Sequence, residues 1–157
     1  MTYFEVVFKI VLSIVLCSLI GIERGIRHKG AGLRTHLLVG VGSTLIVINS
    51  IHMFNAYNGL VPVDPTRMIA GLITGIGFLC GGTIIRGGDQ IIGLTTAASL
   101  WIVSCVGIAV GSGDYFASIV VTIAVLVILT QARGVEKIVE SKIKELSKGD
   151  DENGIKG

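Results

Sequence analysis

Two short segments of this chain put bases and hydroxyls where they could hold an anion. Gly21-Ile22-Glu23-Arg24 leads to Gly32-Leu33-Arg34-Thr35, and Ile84-Ile85-Arg86 leads to Gly93-Leu94-Thr95-Thr96. If each Gly-Leu-x-Thr segment opens a helix, its free backbone N–H groups and hydroxyls favour negative charge, and an arginine closing the preceding helix is well placed at its C-terminal end. A phosphate group, a lipid headgroup or a carboxylate suits such openings. The plainer reading, preferred on these residues alone, is that the arginines mark the cytoplasmic side and Thr35 and Thr95 only cap helices. Because the two segments would lie side by side, Glu23, Arg24, Arg34 and Arg86 are expected to form one charged cluster.

Little other chemistry is on offer. No serine or cysteine stands beside a plausible base, no carboxylates are paired, and no glycine loop leads into Lys-Ser or Lys-Thr, so the chain is not read as an enzyme. His28, His36 and His52 fall at loops or span ends and are read as interfacial hydrogen-bonding groups. A hard cation wants oxygen ligands, yet Glu5, Glu23, Asp64, Asp89 and Asp114 are the only acids before the tail and none sits near a bilayer centre. No metal site and no cofactor are expected. A path for a solute would rest on the hydroxyls of Thr35, Thr74, Thr83, Thr95, Thr96 and Ser99.

The elements that position these residues follow from composition. Of 157 residues, 51% are hydrophobic and only 15% charged, where a soluble domain carries roughly 25% charged residues. The excess apolar surface must face lipid. Uncharged intervals place five membrane helices near 4–22, 35–53, 68–85, 94–110 and 115–132, since crossing a ~30 Å hydrocarbon core takes ~20 apolar residues. The fold class is therefore an all-α integral membrane protein. Glu5 and Lys9 lie inside the first span and are expected to snorkel to its end. A cleaved signal peptide is disfavoured there because the bases follow the apolar run.

Every basic residue except Lys9 and Arg67 falls in the first inner loop, the third loop or the tail, which puts the N-terminus outside and the C-terminus in the cytoplasm. A reporter fused after Gly157 is expected to be active only in the cytoplasm; an external signal would sink this topology. The net charge of +2 gives no nucleic-acid footprint. Residues 1–132 read as the membrane domain. Residues 133–157 read as a cytoplasmic tail, with Val135, Ile138, Val139, Ile143 and Leu146 at helical spacing and a disordered end. Lipid, other membrane proteins or a second copy are the expected partners. Cys17, Cys80 and Cys105 read as small buried hydrophobes.

Gly71, Gly75, Gly77, Gly81 and Gly82 give the third span small-xxx-small spacing, which predicts a central helix in close backbone contact, or alternatively a helix broken between Gly75 and Thr83. The two inner segments suggest a parallel repeat relating spans one and two to spans three and four, with span five added. On the outer side, Asp64-Pro65-Thr66-Arg67 reads as a helix start, with Arg67 expected to pair with Asp64 or Asp114.

Together, Gly21-Ile22-Glu23-Arg24, Ala31-Gly32-Leu33-Arg34-Thr35-His36, Asp64-Pro65-Thr66-Arg67, Gly75-Ile76-Gly77-Phe78-Leu79, Gly82-Thr83-Ile84-Ile85-Arg86 and Gly93-Leu94-Thr95-Thr96-Ala97-Ala98-Ser99-Leu100-Trp101 resemble the MgtC/SapB family of bacterial inner-membrane proteins. Leu79-Cys80-Gly81-Gly82 departs from the family's usual Leu-Gly-Ala-Gly but keeps small residues. The resemblance implies a role in growth at low magnesium and, in some pathogens, survival inside host cells. It implies regulation of other membrane proteins, among them ATP synthase and a phosphate-sensing kinase, in preference to magnesium transport. The short tail is not expected to form the cytoplasmic domain of the best-known members, so partners using that domain do not carry over. The alternative is a transporter or channel for magnesium or another small solute.

Overall fold

The structure, a computed structural model, describes residues 1–27, 30–60, 64–88 and 90–131. It divides into two compact units, Met1–Ile123 and Ala124–Gly157. Five helices occupy the expected places: α1 Tyr3–Ile26, α2 Leu33–Tyr57, α3 Thr66–Gly81, α4 Leu94–Ser112 and α5 Tyr115–Gln131. Three of them, α1, α2 and α4, are long and apolar enough to cross a membrane. Phe4, Leu38, Phe78 and Phe116 stand far out from the surface, an arrangement that lipid rewards and water does not. In the second unit the described part is the last turns of α5, where the Thr130 hydroxyl donates back to the Leu126 carbonyl at 2.7 Å. The amphipathic extension expected over 133–157 lies outside the described residues.

Local chemistry sets the helix ends. The Thr2 hydroxyl accepts from the Glu5 N–H at 3.4 Å and opens α1. One oxygen of Asp64 accepts from both the N–H and the hydroxyl of Thr66, at 2.8 and 2.7 Å. Those two bonds, the hydroxyl's first, hold the Asp64 carboxyl below the usual carboxylate range. Between α4 and α5 the chain turns through Gly113 at φ 92°, and Asp114 caps α5 by accepting from Ala117 N–H at 3.1 Å. Tyr115 then meets Phe8 of α1 edge to face, with ring centroids 5.3 Å apart.

The centre of the first unit is α2 against α4, with α1 packed on both and α3 at the side. This corrects the expectation that the third span is central. Of α3 only Cys80 is buried, and a Cβ at Gly71, Gly75, Gly77 or Gly81 would meet nothing within 4 Å. The close approaches occur at other glycines. A Cβ on Gly107 of α4 would strike the Gly40 carbonyl of α2, and one on Gly111 would lie 2.9 Å from the Thr44 carbonyl.

The helix also runs unbroken from Thr66 to Gly81, so the reading of a break between Gly75 and Thr83 does not hold within it. The chain leaves helical geometry at Gly82 and forms a two-stranded antiparallel hairpin absent from the all-α expectation, β1 Ile85–Gly87 with β2 Gln90–Ile92. Its sequence signal was present: isoleucine pairs flank a glycine turn, and Gly88 has φ 63°. Gly93 closes the hairpin at φ 99°, where any Cβ would collide with the Thr83 carbonyl.

Candidate functional site

The interior between α1, α2 and α4 sets polar groups among apolar ones such as Ile20, Val47 and Leu100. Lys9, expected to snorkel, is only 2% exposed. Its Nζ donates to the Gly111 carbonyl at 2.9 Å and lies 3.6 Å from Glu5 Oε1. That carbonyl belongs to the last turn of α4, where carbonyls lack helical partners and the dipole is negative, so the ammonium gains more by turning inward than by reaching the interface. Next along the bundle, Thr44 Oγ1 lies 2.9 Å from Ser13 Oγ and 3.0 Å from both the Gly40 and Gly107 carbonyls. Ser43 Oγ sits 3.0 Å from Ser104 Oγ.

His36, read as interfacial, is fully buried. Its Nδ1 faces the Gly32 carbonyl at 2.8 Å and therefore carries the proton. Its Nε2 lies 3.1 Å from Ser99 Oγ, which is also 2.8 Å from the Thr96 carbonyl. Sequence reasoning missed Lys9, Ser13, Ser43, Thr44 and Ser104 as interior groups. The signal that could have found them is spacing: Gly40, Ser43 and Thr44 share one stripe of α2, while Ser104, Gly107 and Gly111 share one of α4.

At the end of the bundle near the α1–α2 connection, Glu23 binds two arginines. Arg24 Nε donates to Glu23 Oε2, and Arg27 Nε pairs with Oε1. Arg24 is 1% exposed, and among the described residues its Nη1 has no hydrogen-bond partner. Arg34 and Arg86 are not brought into this cluster. Both are exposed, Arg86 on β1 of the hairpin, and among the described residues neither reaches a carboxylate. The cluster is thus Glu23, Arg24 and Arg27, because i and i+4 on one helix meet without help from another element.

The hydroxyls proposed for a path are scattered. Thr74 is exposed and bonds its own helix at Ala70 O, 3.0 Å. Thr35 is half-buried in the first turn of α2. Ser99 belongs to the His36 network. Thr83, Thr95 and Thr96 do come together, lining a cavity of about 610 Å³ between the hairpin and the start of α4. Among the described residues no three His, Cys, Asp or Glu side chains gather as a metal site. At the start of α3, Asp64 caps the helix while Arg67 is exposed and forms no ion pair with Asp64 or Asp114 among the described residues, against the expected pairing.

Apolar helices around a hydrogen-bonded polar interior define a helical membrane protein. The chain belongs to the MgtC family, whose sequence profile matches residues 10–138. It is 41% identical over 127 residues to the "Putative magnesium transporter YhiD" of Escherichia coli K12, covering 80% of this chain and 59% of that one. To "Protein MgtC" of Brucella abortus strain 2308 it is 37% identical over 130 residues, covering 82% and 51%. An uncharacterized Synechocystis protein, slr0014, is 39% identical over 127 residues, covering 81% and 52%. The chain thus spans between about half and three fifths of these relatives' own length. No solved structure matches it.

Proposed function

We propose that this chain is a multi-pass protein of the bacterial inner membrane that regulates other membrane proteins during adaptation to low magnesium. The observation that carries this reading is how the polar interior is used. Lys9, Ser13, Thr44, Ser43, Ser104, His36 and Ser99 bond to one another or to helix carbonyls, so these groups are used to lock helices together. Meanwhile α3 keeps its glycine face open, beside an apolar groove of about 280 Å³ between Leu38, Gly42 and Ile46 of α2 and Leu72 and Ile76 of α3. A neighbouring helix fits such a face at close range.

The second reading, magnesium transport, is favoured by the name of the Escherichia coli relative. Proteoliposomes carrying the purified chain and an internal magnesium-sensitive dye separate the two. The regulator reading expects magnesium entry no faster than in empty vesicles, whereas saturable, selective entry would establish transport. Replacing Gly75 by Leu is expected to leave the thermal midpoint of the purified chain unchanged, within about 0.5 kcal/mol, yet to abolish its effect on growth at low magnesium. Full complementation by that variant would remove the α3 face from the proposal.

A further inference from the structure

The cavity beside the hairpin has the chemistry of a phosphate site. On one side it is walled by the first turn of α4, a helix of 19 residues whose N-cap, Gly93, offers no side chain to its free N–H groups. The first backbone bond of that turn is Ala97 N–H to the Gly93 carbonyl at 2.8 Å. The N–H groups of Leu94, Thr95 and Thr96 therefore have no acceptor among the described residues, and the positive end of the helix dipole falls there.

A second observation is independent of the helix end. Thr96 is only 6% exposed and lines this cavity. Its hydroxyl makes no hydrogen bond among the described residues, and it is not among the atoms sealed from solvent. Thr83, by contrast, satisfies its hydroxyl on the Cys80 carbonyl at 2.8 Å, and Ser99 has two acceptors in reach, the Thr96 carbonyl at 2.8 Å and His36 Nε2 at 3.1 Å. On a residue otherwise nine-tenths buried, this hydroxyl is left open where the cavity lies, free to bond an oxygen held there. The opposite wall is apolar, formed by Ile85, Ile91 and Ile92. Exposed Arg86 stands on the same strand as Ile85, directly across from Ile91.

Unfilled donors and isoleucines in one lining call for an anionic oxygen cluster attached to, or lying against, something apolar; Arg86 itself does not line the cavity. We propose that this cavity binds a phosphate group, held by the N–H groups of Thr95 and Thr96 and by the Thr96 hydroxyl. A phospholipid headgroup and free phosphate share that chemistry. The site is narrower than the sequence suggested, for Thr35 and Arg34 take no part in its lining. It goes beyond the regulatory reading and does not rest on it.

The test uses the purified full chain, ¹⁵N-labelled in an uncharged detergent, titrated separately with dioctanoylphosphatidylglycerol, inorganic phosphate and dioctanoylglycerol. The expected result is saturable movement of the Thr95 and Thr96 amide signals with a phosphate-bearing probe, at an affinity that falls as salt rises. Movement with the phosphatidylglycerol alone assigns the lipid; movement with both assigns phosphate itself. Thr96→Val keeps the shape, removes one charge-assisted bond and should weaken binding about tenfold or more. Thr96→Ala supplies the same comparison where Thr96→Val lowers the folded yield, while Thr96→Ser, which keeps the hydroxyl, and Thr74→Val should bind like the parent. The proposal is overturned if neither phosphate-bearing probe moves these amides, if dioctanoylglycerol moves them as well as the phosphatidylglycerol does, or if the folded Thr96 variants lacking the hydroxyl bind like the parent.

Discussion

Replacing Glu23 by Gln is expected to destabilise the bundle by about 3–5 kcal/mol, the usual cost of leaving one member of a buried ion pair alone. Glu23 is the only carboxylate that Arg24 reaches among the described residues, and Arg24 is almost wholly enclosed where α1 meets the first turn of α2. Its Nη1 already lacks a partner, so no second acceptor stands ready to take up the guanidinium. Arg27 would lose its pair as well, but it is partly exposed, and water replaces most of that loss. Unfolding of the purified protein in mixed detergent measures the effect. Combining Glu23→Gln with Arg24→Gln should recover a large part of it, whereas Arg34→Gln and Arg86→Gln should add to Glu23→Gln within about 0.5 kcal/mol. Equal coupling to all three arginines would mean that Glu23, Arg24, Arg34 and Arg86 act as one charged cluster, as the sequence alone suggested.

The second large effect is expected at Gly107. A single methyl there would be driven into the Gly40 carbonyl and to 2.8 Å from Ser43 Cβ, and a backbone carbonyl inside a helix cannot rotate aside. Separating α2 from α4 also stretches the bond from Thr44 to the Gly107 carbonyl and the Ser43–Ser104 pair, both at 3.0 Å. Gly107→Ala should therefore cost about 1–3 kcal/mol, the range for overpacking, and Gly107→Leu should prevent the bundle from closing. Gly75→Ala, in mid-helix with open space around its Cβ, is expected to lose no stability and to gain up to about 1 kcal/mol from helix propensity. Parallel unfolding curves for the alanine variants decide the matter: equal losses would show that the α2–α4 contact is not where the glycines matter most.

This contrast shows how differently the levels of structure were written into the chain. The uncharged intervals located all five helices, and Asp64-Pro65-Thr66 marked the start of α3, because lipid exposure and end-capping are decided within a segment by its own composition. The order of motifs likewise carried the family. The partners of each helix face were not legible. In a soluble protein the apolar stripe tells which face is inside, but lipid is as apolar as a core, so the faces of α3 and α4 look alike in sequence. Glycines at similar spacing turned out open on α3 and in tight contact at Gly107 and Gly111 on α4. The same ambiguity hid Lys9 and His36. A lysine near a helix end snorkels by default, and only the arrival of the Gly111 carbonyl from a segment 102 residues away makes the buried position the better one. The sequence by itself determined where the chain enters lipid and which family it belongs to; the tertiary structure decided which polar groups meet, because a hydrogen bond between helices depends on their relative rotation, which no single segment encodes.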